Sequence, residues 1–186
     1  YPVEKSLAKK ELPKDLQNLF EFNHILLVIG RLSVDRGLIF LEKLSEKLPN
    51  NIKIIVLGSG KMIPKSKKIR FLGSIENSLL PFFINASDII FQPLIAEGIS
   101  RVSLESLACG KPVIMRGSKM DRYPLVNGKN GYVVDSIEEA KNIINELLNS
   151  SNLYKSISKN ALKTSAKFDV KELSKKIDSI YLSIKY

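Results

Sequence analysis

The sequence predicts an α/β fold, a Rossmann-like parallel sheet covered by helices. Three observations carry that prediction. Strand-like and helix-like segments alternate over short connections, as they do in βαβ units. The strand-like runs Ile25–Ile29, Ile52–Leu57 and Ile89–Phe91 are almost wholly apolar. That suits strands buried on both faces rather than one. The helix-like segments also end on stop signals, Pro49-Asn50-Asn51 and Gly110-Lys111-Pro112 among them.

Composition sets the bounds. A chain of 186 residues fits one domain with a sizeable core, and 44% hydrophobic residues argue against disorder. No apolar run is long enough to span a bilayer, and no signal-peptide pattern opens the chain. One cysteine and one histidine exclude an internal disulfide and a Cys- or His-based metal site. Cys109, on an Ala/Leu-rich helix, reads as packing. No Asp-x-Asp pair offers a seat for a nucleotide-bound divalent ion. The net charge of +10 favours anionic partners, either nucleotides or a membrane surface. Lysines and arginines are scattered without interleaved aromatics, so nucleic acid is not expected as a partner.

In order, residues 1–24 read as a lead-in or interdomain segment. The chain opens on Tyr1 without Met, so a preceding part is expected. Residues 25–168 read as the Rossmann-like domain. Its first strand, Ile25–Ile29, ends at Gly30-Arg31, and Leu38, Leu41, Leu44 and Leu48 at helical spacing mark the next helix. Strands follow at Ile52–Leu57 and Ile69–Leu72, then a helix over Asn77–Asn85 with Pro81 in its first turn. After the strand Ile89–Phe91 come a helix over Arg101–Cys109 and strands at Pro112–Met115 and Gly131–Val134. Helices over Ile137–Leu148, Leu153–Phe168 and Val170–Ile184 close the chain, with residues 169–186 set apart as a C-terminal helix. Gly58-Ser59-Gly60 is not a dinucleotide fingerprint, because Ile63 stands where a third glycine belongs and Pro64 interrupts the helix.

The stretch from Asp88 to Pro112 is the expected functional centre. A buried strand delivers its C-terminal end to a loop, and the loop delivers a helix N-terminus, the place where open α/β sheets bind ligands. Free amides around Ser100-Arg101-Val102 favour an anion such as phosphate. Arg31 and Arg36 follow the first strand and reach the same rim. Glu97 and Glu105 frame the loop. They either hold hydroxyls of one extended ligand or are ordinary solvated residues.

Glu97-Gly98 and Glu105-Ser106-Leu107-Ala108-Cys109-Gly110-Lys111-Pro112 resemble the E-x7-E signature of retaining GT-B glycosyltransferases of the GT4 family. Gly30-Arg31-Leu32 with Arg36-Gly37, Val56-Leu57-Gly58-Ser59-Gly60, Phe71-Leu72-Gly73, Ala86-Ser87-Asp88 and Asn130-Gly131-Tyr132 match further segments in the family's order. The matches cover residues 25 to 150. The chain is thereby identified as resembling the C-terminal, donor-binding domain of such an enzyme.

The resemblance implies a nucleotide-diphosphate-sugar donor and a missing N-terminal acceptor domain. It further implies transfer with retention, without metal or cofactor, on a fragment inactive by itself. Arg31, Arg36 and Glu97 take the catalytic roles. The arginines steady the leaving diphosphate and Glu97 holds the sugar. Donor contacts fall to Gly30, Gly73, Ile75, Gly98, Ile99, Ser100, Arg101, Val102 and Glu105, with Glu105 on the ribose. Several positions depart from the family pattern: Arg36 for Lys, Ser100 for Gly, Arg101 for an apolar residue, Tyr123 for Glu, and the whole loop Arg116–Pro124. A membrane-surface or lipid-linked acceptor and a cytoplasmic setting, including its membrane face, are the expected context. The alternatives are a non-catalytic nucleotide-sugar-binding module or a GT-B sugar-nucleotide epimerase.

Overall fold

The structure, a computed structural model, describes residues 2–31, 33–34, 37–60, 64–93, 100–117 and 123–184. Two short helices, α1 (Lys5–Lys10) and α2 (Lys14–Gln17), precede β1 (His24–Ile29). Next come α3 (Leu38–Lys47), β2 (Ile52–Leu57), β3 (Ile69–Gly73), α4 (Leu80–Ala86) and β4 (Ile89–Gln92). Then follow α5 (Arg101–Ala108), β5 (Val113–Arg116), β6 (Gly131–Val134), α6 (Ile137–Asn149), α7 (Ser151–Ser165) and α8 (Val170–Ser183). The predicted helix over Asn77–Asn85 is a 3-10 turn, Asn77–Leu79, running into α4, with Pro81 in the first turn of the α-helix. The helices α1 and α2 lie in the segment expected as a lead-in without regular structure of its own.

All six strands of the sheet run parallel, in the order β3-β2-β1-β4-β5-β6. The order reverses between β1 and β4, so the crevice beyond their C-terminal ends is the topological switch point. Alternate residues of each strand feed two cores. Leu26, Val28, Ile54, Val56 and Phe91 pack with α3 and α6 on one face. Ile25, Leu27, Ile55, Leu57 and Ile90 pack with α4, α5 and the N-terminal segment on the other. That is why the strands read as continuous apolar runs. Each fully buried Leu or Ile stabilises by about 1.5–3 kcal/mol. The lead-in is folded onto the second core, where Ala8, Leu12 and Phe20 are buried and Phe20 meets Phe83 edge-on at 5.7 Å.

The N-terminal edge of the sheet is tied by side chains. The Asp88 carboxylate accepts from Ile25 N at 2.7 Å and from Lys5 Nζ at 2.5 Å, joining the starts of β1 and β4 to α1. Lys111 Nζ donates to Asn85 O and Ser87 O, both at 2.8 Å, closing the C-terminal end of α4. The Tyr154 hydroxyl donates to Asp88 O at 2.8 Å. Burial holds the Lys111 ammonium down at about 8 and pushes the Tyr154 hydroxyl up. No helix among the described residues is long and apolar enough to cross a membrane.

Candidate functional site: the C-terminal edge of the sheet

Three loops meet beyond the strand ends, and two glycines make the meeting feasible. Gly37 has φ +87°, and a Cβ there would lie 2.2 Å from Pro93 O. Gly58 has φ +141°, and a Cβ there would lie 2.1 Å from Gly30 O. The turn after β1 is therefore pressed against the end of β4 on one side and the end of β2 on the other. Only a residue without a side chain permits such approach at positive φ.

The helix tip is held from the strand beside it. Ser100 caps α5, its Oγ accepting from Ser103 N at 3.3 Å. Gln92, buried at the end of β4, donates through Nε2 to Ser100 Oγ at 3.2 Å and to Ser103 Oγ at 3.1 Å. Arg101 and Val102, in the first turn where backbone amides lack intrahelical acceptors, also line the cavity beside this tip.

A cavity of about 520 Å³ lies between the end of β1, the α4 segment and α5. Ile29 and Gly30 form one wall, Asn77, Leu80, Pro81 and Ile84 a second, and Arg101, Val102, Glu105, Ala108 and Cys109 a third. Arg101, the one cation among its described lining residues, and its helix N-terminus favour an anion. The Glu105 carboxylate can accept hydroxyls, and the apolar walls suit a flat base. A neighbouring cavity of the same volume, between α5, α7 and α8, has Glu105 and Asp169 and no cation among its described lining residues. It is the less suitable place for phosphate.

Of the expected site residues, Gly30, Arg101, Val102 and Glu105 line the cavity, and Ser100 caps the helix that forms its wall. Arg31 is exposed directly beyond Gly30. Gly73 and Ile75 lie on the same edge at the end of β3, outside that lining; Gly73 O accepts from Gly58 N at 2.8 Å. Arg36, Glu97, Gly98 and Ile99 lie outside the described residues. Sequence reasoning missed Gln92, Asn77 and Pro81. A polar residue closing a run of buried ones, with serines 8 and 11 positions on, was the available signal for Gln92. Cys109 is buried, with Sγ 3.4 Å from Asn85 Nδ2, and burial raises its thiol, as expected of a packing residue. Among the described residues no three His, Cys, Asp or Glu side chains are grouped to hold a metal ion.

A parallel six-stranded sheet with its cavity at the switch point and a capped helix tip in the wall is the architecture of the C-terminal domains of GT-B glycosyltransferases. The family described as "Glycosyl transferases group 1" matches residues 10–164, and the chain belongs to that family. An uncharacterized glycosyltransferase of Methanocaldococcus jannaschii, MJ1178, is 25% identical over 166 residues, 83% of this chain and 47% of that protein. Anabaena HepE, solved in complex with UDP-glucose, superposes with a TM-score of 0.76 at 22% identity, covering 98% of this chain and 56% of that one. The C-terminal domain of the group 1 glycosyl transferase LpcC from Francisella tularensis superposes with a TM-score of 0.72 at 21% identity. That match covers 91% of this chain and 96% of that domain. Matches to the archaeal relatives cover 26% to 47% of their length.

Proposed function

We propose that this chain is the nucleotide-sugar-binding half of a retaining, metal-independent glycosyltransferase. In this reading it acts with an N-terminal acceptor-binding domain and transfers a sugar from a nucleoside diphosphate. The observation that carries the reading is the cavity at the switch point, lined by Gly30 from the end of β1 and by Arg101 and Val102 from the tip of α5. A nucleoside diphosphate fits that layout. The base lies along Leu80 and Pro81, the ribose hydroxyls reach Glu105, and the diphosphate meets the Arg101 and Val102 amides. That HepE was solved with UDP-glucose, on the same fold, supports this choice of ligand.

As the sugar leaves, negative charge collects on the diphosphate oxygens. Arg31 beyond β1 and the α5 tip would oppose that charge, with Arg36 added by the family resemblance. Glu97, by the same resemblance, would hold the sugar hydroxyls. Retention fits front-side attack, with the donor phosphate taking the acceptor proton.

Calorimetric titration of the folded chain with UDP, GDP and ADP tests the reading. Saturable binding of at least one, weakened about tenfold or more by Arg31→Ala, is expected. Absence of binding to all three would contradict it. Glu97→Ala in a chain carrying both halves separates catalysis from mere binding: a transferase loses sugar transfer, whereas a binding module has none to lose. Conversion of donor without any acceptor would mark an epimerase instead.

A further inference from the structure

A second cavity opens on the same C-terminal edge but on the other face of the sheet, over α3 and α6. Its volume is about 470 Å³, and its lining includes Phe40, Lys43, Arg116, Asp135 and Ile137. No residue of this lining is shared with the cavity at the switch point. The two are separate places.

Arg116 is the notable member. It closes β5, pairs in register with Val134 of β6, and lies with its guanidinium carbon 4.6 Å from the centre of the Phe40 ring. Stacking fixes the plane of the guanidinium, because the flat cation rests on the ring face. Yet its Nε is buried and has no hydrogen-bond partner among the described residues. A buried guanidinium N–H without an acceptor costs free energy comparable to a lost hydrogen bond, so its lack of a partner calls for a reason. Nothing about β5 requires an arginine there, since an apolar residue over Phe40 would pack without an orphaned donor. Lys43, on the exposed side of α3, adds a second cation to the same cavity.

We propose that this cavity binds the anionic group of a sugar-sized ligand, a sugar phosphate by preference, apart from the nucleotide site. The Arg116 guanidinium, held flat against Phe40, supplies one positive charge at the cavity wall, and Lys43 supplies a second beside it. Asp135 is the acidic member of the lining. It would repel a bare anion but accept hydroxyls from a sugar that carries one. The ring of Phe40 with Val34, Ile39 and Ile137 offers the apolar surface on which a sugar's carbon face can rest. A ligand bearing both an oxyanion and hydroxyls meets each of these groups, whereas phosphate alone meets only the cations. On the proposed function such a ligand is a second substrate or an effector at the transfer cleft, but the binding itself does not depend on that reading.

The test is amide-resolved NMR titration of the folded chain with a hexose 6-phosphate, inorganic phosphate, glucuronate and glucose, each up to about 10 mM, enough to fill a site of about 1 mM affinity. Hexose phosphate should shift Phe40, Lys43, Gly117 and Ile137, with inorganic phosphate and glucuronate weaker and glucose without effect. Arg116→Gln should weaken hexose phosphate about tenfold, the loss of one of the two cations that face the oxyanion. Lys43→Gln, a surface change that keeps the test alive if removal of Arg116 unfolds the chain, should weaken it about threefold. UDP affinity, measured in parallel, should be unchanged in both variants. No shift at these amides in the wild type, or equal binding in wild type and variants, overturns the proposal. Loss of UDP binding with hexose phosphate binding intact would instead count against the nucleotide site.

Discussion

The two edges of this sheet are built on opposite plans. At the N-terminal edge polar side chains are buried or half-buried and paired: Asp88 with Ile25 N and Lys5, Lys111 with two carbonyls, Tyr154 with Asp88 O. At the C-terminal edge the turns close through glycines, Arg31 and Arg101 are exposed, and two cavities open. The groups most displaced in titration by burial, Lys111 and Tyr154, belong to the edge whose polar groups are paired within the chain. A displaced titration is thus a poor guide to the site in this chain. Structural burial perturbs a lysine as strongly as catalysis does.

Substitutions at the two edges should separate stability from binding. Gly37→Ala is expected to have the largest effect, since it places a Cβ 2.2 Å from Pro93 O at positive φ. A stability loss of roughly 3 kcal/mol by urea denaturation, together with loss of nucleotide binding, follows from a forced left-handed residue and a backbone clash. Asp88→Ala should cost roughly 2 kcal/mol by leaving Ile25 N unpaired, with nucleotide affinity of the folded fraction unchanged. A change in affinity there would break the contrast between the edges.

Lys111 gives the pH-dependent test. Its folded pKa, about 8, lies below the 10.5 of an exposed lysine because burial penalises the charge. Between those values the unfolded chain binds more protons, so stability rises with pH across that window. Below about pH 8 the penalty is felt in full. Relative to Lys111→Met, the wild type should gain roughly 3 kcal/mol as pH rises through the window, read from paired denaturation curves. The smallest effect is expected of Gln92→Ala, about 1 kcal/mol in stability with a several-fold loss of nucleotide affinity, because it frees the tip of α5.

Most of the fold was legible from the chain. The run Ile52–Leu57 announces β2 to the residue, and Ser100 and Gly110 mark the limits of α5, as their cap and positive φ confirm. The helices α1 and α2 were not legible. Their apolar anchors Ala8, Leu12 and Phe20 are too sparse and too broken by Pro13 to form a periodic stripe, and only contact with α4 makes them core. The site was legible in part. Glycines and a helix tip carry local signals, which is why Gly30 and Arg101, two of the residues lining the cavity, were picked out from the chain. Gln92 left only the faint signal of a polar residue ending an apolar run ahead of two serines, and Arg116 left none, because its meaning lies in side chains brought to it by other elements. Residue type and spacing say nothing of an orphaned Nε above a ring.

The contrast between the edges is tested most directly by following every assignable backbone amide while UDP is added to the folded chain. The account predicts shifts at Gly30, Asn77, Arg101, Val102 and Glu105, with Ile25, Asp88 and Lys111 unmoved. Shifts centred on the Asp88–Lys111 edge, or none anywhere on the sheet at saturating nucleotide, would contradict it.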